Sequence, residues 1–211
     1  MGKPLSVLWT ITPQSEPRPW LTCSRCGGPR PFRSSGKFRL NANGKRLDAW
    51  LIYCCAVCDQ TWNRPVLERR TVASLDLRLV TALRMNDPGL ARRMAFDLDG
   101  LSGHAGRIEH CNDLQVHKTV LAAPSEPPRS LEIRLAVPDP VRLRLDRLLA
   151  GELGLARQRL QNLEKSGRLA LHPARARMLR RPLRDGLRLT LDLSQEPDGA
   201  AIAAAAQSSD Q

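Results

Sequence analysis

Apolar and polar positions alternate most cleanly in "LEIRLAV", residues 131–137, which predicts a strand with one buried face. "LSVLWTI" at 5–11, "GRLAL" at 167–171 and "GLRLTLDL" at 186–193 read the same way. The longest alternating stretch is "KFRLNANGKRLDAWLIY". Phe38, Leu40 and Ala42 share one face of the first arm, and Leu47, Ala49 and Leu51 one face of the second. Trp50 and Ile52 fall on the opposite face. Asn43-Gly44, two residues that tolerate positive φ, predicts the hairpin turn between the arms. Elsewhere the period lengthens. Leu75, Leu79 and Leu83 at spacing four predict a helix capped by Ser74. Asn86-Asp87-Pro88 ends it and opens a second helix, with Asp87 as N-cap and Pro88 at the first helical position. Residues 143–153 and 156–166 predict two further helices separated by "LGL". Their apolar faces are Leu145, Leu148, Leu149 and Leu153 in one and Leu160 and Leu163 in the other.

Between these elements, "PQSEPRP" breaks regular structure and "AAPSEPPRS" at 122–130 reads as a linker. Residues 99–128 give weak signals, and their "GLSGHAG" reads as a loop. The end, "SQEPDGAAIAAAAQSSDQ", is acidic and low in complexity and is expected to be disordered. The fold class is therefore α+β. The expected organisation is a β module over 1–70, a helical segment packing on it over 71–121, the linker 122–130, a two-helix plus β domain over 131–193, and a disordered tail over 194–211.

The chain has 211 residues and a net charge of +12, with 28 Arg against 5 Lys. Residues 1–70 and 129–193 each carry a net +8, the stretch between them is close to neutral, and the last 18 residues carry −3. A surplus of cations in two blocks points to a polyanion partner, most simply nucleic acid. No apolar run approaches the ~20 residues that cross a bilayer, and the first residues lack a cleavable signal pattern. A cytoplasmic protein without membrane contact is expected, so its six cysteines read as metal ligands or core residues rather than disulfides.

Two pairs stand out. Cys23-x2-Cys26 and Cys55-x2-Cys58 each place two thiolates on one side of a tight turn, and the 28 residues between the pairs contain their own hairpin to bring them together. Four thiolates in tetrahedral array suit zinc, and with no open position for water the ion would be structural, one per chain, which makes the expected 1–70 module a zinc ribbon. Gly27-Gly28 after the first pair fits the tight turn. Cys54, next to Cys55 on a strand, points to the other face and reads as a small buried hydrophobe. Cys111 is isolated beside His110. No triad, metalloprotease motif or phosphate-binding glycine loop is present.

The run "KFRLNANGKRLDAWLIYCCAVCDQTWN" resembles a bacterial domain-of-unknown-function family, ten-sixty-two, whose pattern is close to "FRxNANxKxLDxWLIYxCxxCxxTWN". The residues that match run from Phe38 through Asn63 and include Arg39, Asn41, Asn43, Asp48, Trp50, Cys55, Cys58 and Trp62. The resemblance extends to the preceding pair Cys23 and Cys26, marks Cys55 rather than Cys54 as the ligand, and implies no activity.

A second constellation is "RLRLDRLLAGELGLARQRLQNLEKSGRL", residues 142–169. Arg144, Arg147, Arg157, Arg159, Lys165 and Arg168 lie off the apolar faces. The short link is expected to bring the start of the second helix beside the start of the first, where cations and free backbone N–H groups would suit a phosphate. The stretch resembles the RNA-binding domain of ribosomal small-subunit protein S-four, with Arg144, Leu145, Asp146, Arg157 and Gly167 in place and "LRDGLRLTLDL" fitting its closing strand. That resemblance implies RNA contact through arginines at the helix starts. It departs at Ala156, where a capping Ser is usual, and at "ALHPARARMLRRP", which replaces a tight turn and adds Arg175, Arg177, Arg180 and Arg181. With no stacking aromatics in this half, structured RNA, on or near the ribosome, fits better than base-by-base reading.

The function expected from the sequence is non-catalytic binding of structured RNA, with Arg39, Lys45 and Arg46 of the hairpin as a second basic surface. The alternatives are a protein-interaction or regulatory module and, third, an enzyme whose site uses Arg39, Asn41, Asn43 and Asp48.

Overall fold

The structure is a computed structural model, which describes residues 3–174 and 177–208. It contains two five-stranded sheets and six α-helices, and the chain divides into two compact units. One unit comprises the N-terminal residues to Gln14 and those from Asn112 onward; the other is the stretch Ser15–Cys111 between them.

The first unit is built on β1 (Leu5–Pro13), β7 (Leu114–Ala122), β8 (Ser130–Ala136), β9 (Leu169–His172) and β10 (Arg188–Asp192), in the order β7-β1-β8-β10-β9. β1 and β8 are parallel and the other pairs antiparallel. Register puts apolar residues into common rungs: Leu5, Leu131, Leu191 and Leu169 form one, and Val7, Ile133, Leu189 and Leu171 the next. All eight are buried against α4 (Leu145–Leu153), α5 (Arg157–Lys165) and α6 (Gly199–Gln207). Alternation with period two supplies the sheet face, and Leu145, Leu148, Leu149, Leu153, Leu160 and Leu163 supply the helical faces that cover it.

This arrangement corrects three expectations. β1 is not part of the cysteine-bearing module. Leu5, Val7, Trp9 and Ile11 are fully buried in the other unit, because one face of the strand is continuously apolar and matches β8 in register. The weak stretch before the linker contains β7, so residues 123–129 join two strands of one unit. The tail is ordered through Ser208. Ile202, Ala203 and Ala206 of α6 enter the core, the Trp9 Nε1–H donates to the Ala206 carbonyl at 2.9 Å, and Lys118 Nζ donates to the Ala205 carbonyl at 2.9 Å. Alanine is the strongest helix former and loses no side-chain entropy, so a run that looks low in complexity packs well where small side chains let a helix approach closely.

The second unit is antiparallel. Its sheet runs β5 (Thr61–Thr71), β4 (Arg46–Cys55), β3 (Gly28–Asn43), β2 (Arg18–Cys23), β6 (Arg107–Glu109). The hairpin forms one residue later than expected: Asn43 pairs with Arg46, and Gly44-Lys45 turn, with Gly44 at φ +57°. Glycine first is the order two-residue hairpins accept when only the first position needs positive φ. Phe38, Ala49, Leu51 and Tyr53 face α1 (Leu77–Arg84), α2 (Pro88–Ala95) and α3 (Leu98–Ser102). Each helix is N-capped by an aspartate: Asp76 accepts from the Arg78 N–H, Asp87 from Leu90 and Asp97 from Gly100. Asp76 therefore replaces Ser74 as the cap of α1, since residues 72–74 form a separate 3-10 turn. Asp87 and Pro88 hold the expected positions.

Arg64, on the inner face of β5, is 3% exposed. It donates to the carbonyls of Met94 and Asp97 and to Asp97 Oδ2 at 2.6 Å, fastening β5 to the helical layer. A Cβ at Gly100 would come within 2.2 Å of Arg64 Nη2 and 2.3 Å of Asp97 Oδ2, so a larger residue there would displace this pair. Among the described residues no helix is long and apolar enough to cross a membrane.

Candidate metal centre

Cys23 ends β2 and Cys55 ends β4, and each strand runs directly into a four-residue turn. The two turns repeat one design. The Gly27 N–H donates to the Cys23 carbonyl at 2.9 Å, and the Asp59 N–H to the Cys55 carbonyl at 3.0 Å. The residue after each pair has left-handed backbone, Gly27 at φ +70° and Asp59 at φ +59°. Glycine is the expected residue there; aspartate is one of the few others that tolerate it.

The turns bring the four sulfurs together, all within 4.8 Å of one another. Cys23 Sγ lies 3.5 Å from Cys58 Sγ, and Cys26 Sγ 4.0 Å from Cys55 Sγ. A tetrahedron with metal–sulfur bonds of ~2.3 Å has sulfurs about 3.8 Å apart, a value the two pairs bracket. Cys23 and Cys55 are buried and their partners half-buried. The Val57 N–H donates to Cys55 Sγ at 3.5 Å. These four cysteines can hold a metal ion.

The thiols already interact as a set. Burial pushes the Cys23 thiol up, but the Cys26 N–H, the Cys58 and Cys26 thiols and the Arg25 N–H outweigh it and bring it down to about 7. Cys26 is pushed up to about 12, first by its hydrogen bond with Cys58, then by burial and by Cys23 and Cys55. Cys58 also sits above its ordinary value: the Gln60 N–H favours its thiolate, but burial and the thiols of Cys23 and Cys55 prevail. One proton leaves readily and the next are held against accumulating negative charge. A divalent cation removes that repulsion, so binding would release protons.

Cys54 lies outside this set, half-buried rather than buried as expected, on the opposite face of β4. Cys111 is half-buried as well. Asp48, one of the polar hairpin residues, accepts the Arg69 N–H at 2.6 Å and so fixes a bulge in β5 where Arg69 has φ +47°.

A family model described as a protein of unknown function, DUF1062, matches residues 40–175. The chain belongs to this family. No match was found among curated proteins, and none among solved structures. The DUF1062 match includes Cys55 and Cys58 but begins after Cys23 and Cys26, and it continues through α4, α5 and β9. It therefore draws on both units.

The cationic residues of this DUF1062 chain divide into two groups. Arg147, Arg157 and Lys165 are exposed and make no ion pair among the described residues. Arg144 is half-exposed and gripped by the buried Asp146 at 3.0 and 2.5 Å. Arg159 and Arg168 are tied inward: both bind Glu196, Arg168 at 2.8 Å, and Arg159 also binds Asp198 at 3.0 Å. Glu196 and Asp198 belong to the segment expected to be disordered, which is why their role was missed; acids in a low-complexity stretch carry no periodic signal. The Asp59 turn was legible only as the counterpart of Gly27. Residue Arg175 lies outside the described residues. The helix starts do not meet either. α4 ends at Leu153 and α5 begins at Arg157, so a short link brings the first turn of α5 beside the last turn of α4.

Proposed function

We propose that this protein binds structured RNA without catalysis, and that one structural zinc ion per chain holds the 15–111 unit. Four thiolates leave zinc no open coordination position, which suits a scaffold rather than a reaction.

The RNA reading is carried by where the insert after β9 returns. The Leu145 N–H donates to the Arg181 carbonyl at 3.1 Å, the Leu183 N–H to the Leu143 carbonyl at 2.9 Å, and Arg144 forms a strand bridge with Pro182. The backbone carrying Arg180 and Arg181 is thus fixed beside the start of α4, with its Arg144 and Arg147. Arg180 Nη2 reaches Gln161 of α5 at 3.3 Å. At the start of α5, Ala156 supplies no side-chain cap, so the first-turn N–H groups stay open beside Arg157. Cations and unsatisfied N–H donors together suit phosphate. In this reading the two-helix segment is the S-four-like element and Asp146 positions Arg144. Arg159, Lys165 and Arg168 flank it, with Arg159 and Arg168 serving mainly to hold the chain end.

The test is binding of a fluorescent RNA hairpin across a salt series. Wild type is expected to bind at about 50 mM salt and weaken at least tenfold by about 200 mM. The double variant Arg147→Glu, Arg157→Glu should lose at least tenfold and show a shallower salt slope by about two phosphate contacts. Absence of binding at low salt overturns the reading.

A further inference from the structure

The four tryptophans of the chain are not equivalent. Trp9 is buried under Lys118 and donates to Ala206. Trp20 donates to Glu109 and stacks with Arg107. Trp62 packs on Tyr53 and His104. Trp50 has no ring partner and no hydrogen bond among the described residues, and it belongs to neither apolar core.

Trp50 sits on the outer face of the β3–β4–β5 sheet. The inner face carries Phe38, Ala49, Leu51 and Tyr53 under the helices; register assigns the outer face to the alternate residues. Arg39, Trp50 and Pro65 form its central rung. Asn41 lies on the neighbouring rung one way and Asn63 on the neighbouring rung the other way, with same-face rungs about 6.7 Å apart. Arg39, Asn41 and Asn63 are exposed, and Trp50 is half-buried, with part of its ring open to solvent. Arg46 occupies the rung nearest the turn, which itself carries Lys45. Among the paired residues of this face the sole carboxylate is Asp48, already engaged by the Arg69 N–H. Arg39 and Arg46 have no ion pair among the described residues.

An aromatic ring free on both counts, beside the unpaired Arg39 and amides that both donate and accept, has the chemistry of a nucleobase platform. Stacking takes any base because every base has a π-face, arginines track the phosphates, and amides read base edges. A protein partner would be expected to meet a larger apolar patch; here the apolar residues of the three central rungs are Trp50, Ile52 and Pro65, beside Arg39 and the amides of Asn41 and Asn63. We propose that this face binds a single-stranded segment of RNA, with a base stacked on Trp50, phosphate on Arg39 and base edges at Asn41 and Asn63. The assignment rests on the RNA reading of the protein but uses a different surface from the helices of the other unit.

The experiment uses the full-length, metal-loaded protein and two fluorescent probes, an unstructured RNA of about ten nucleotides and an RNA hairpin. Wild type should bind the unstructured RNA with quenching of tryptophan fluorescence. Trp50→Leu should weaken that binding about tenfold, the usual scale for one stacked base, and Trp50→Phe should retain most of it. Arg39→Gln, at an exposed position that leaves the core untouched, should weaken it several-fold, so the test survives a poorly folded Trp50→Leu. Hairpin affinity and metal content should stay unchanged in all three. Equal binding of the unstructured RNA by wild type, Trp50→Leu and Arg39→Gln overturns the platform. So does failure of wild type to bind it while the hairpin still binds through Arg147 and Arg157, which leaves the wider RNA reading standing. Tighter binding of a DNA of the same sequence overturns the assignment to RNA, and failure of both probes overturns both readings.

Discussion

The apolar core of the unit formed by the chain ends contains 28 buried residues among those described; that of the 15–111 unit contains 12, two of them cysteines. Both units rest on a five-stranded sheet. The first closes its sheet with leucine-rich helices over four aligned strands. The second covers one face with three short helices capped by aspartate and leaves the turns after β2 and β4 to be held by thiolates. A sheet with half the core has a smaller hydrophobic contribution to set against chain entropy. A metal at the turns and the buried Arg64 anchor would supply what apolar burial does not.

The sharpest way to break this comparison is to remove the metal site. Cys23→Ser, or chelation of the wild type, should unfold the 15–111 unit and leave the other intact. Structural zinc contributes roughly 10–16 kcal/mol in small peptides, and even half of that rivals the whole stability of an ordinary domain, about 5–15 kcal/mol. Calorimetry should show two transitions of which only one disappears, and elemental analysis about one zinc per wild-type chain. A chelated protein that melts like the untreated one would mean that the smaller core is sufficient.

The same asymmetry decided what could be read from sequence. The strands and helices between 131 and 192 were legible because leucines recur at strand or helix spacing within each element, and the four ligands because thiol spacing is a local signal. β5 and β7 were not recognised. Each carries a cation at an inward position: Arg64 on β5, bonded to Met94 and Asp97, and Lys118 on β7, 4% exposed at its side chain, paired with Glu152 at 2.7 Å and lying 5.1 Å from the Trp9 ring centre. An inward charge breaks the period that announces a strand, and its partners are distant in sequence. The pairing of β1 with β8 was hidden for a related reason, since 97 residues of another unit intervene. The apolar periodicity found the two helices, but the short link between them was expected to bring both helix starts together, whereas three residues join the end of one helix to the start of the next.

A smaller effect is expected at the chain end of the larger unit. Glu196 is 5% exposed at its side chain and sits between Arg159 and Arg168. Glu196→Gln leaves two partly exposed arginines without their shared counter-charge. Breaking a fully buried pair costs about 3–5 kcal/mol; solvent around both arginines reduces this to about 2 kcal/mol. Hydrogen exchange should quicken in α6 first, while the rungs of β8 and β10 keep their protection. Uniform loss across the unit would show that α6 opens only together with the rest of the core rather than ahead of it.

The smallest effects separate the two cysteine turns from each other. Gly27 and Asp59 hold the same left-handed position, and nothing lies within 4 Å of a Cβ added at Gly27. Gly27→Ala therefore meets no steric obstacle except the backbone conformation itself, which costs about 1–2 kcal/mol for an ordinary L-residue. At Asp59 the conformation is already adopted by a residue with a side chain. Asp59→Gly relieves that strain, adds the entropy cost of glycine in the unfolded chain, and loses an ion pair with Arg33 at 2.7 Å whose partners are 59% and 72% exposed. An exposed pair contributes about 0–1 kcal/mol, so the three changes nearly cancel and stability should stay within about 0.5 kcal/mol of wild type. Urea unfolding of the metal-loaded variants reads both numbers. Equal losses at the two positions would mean that the Asp59 carboxylate, rather than its backbone, holds the second turn, and the likeness of the turns would then be one of shape without a shared cause.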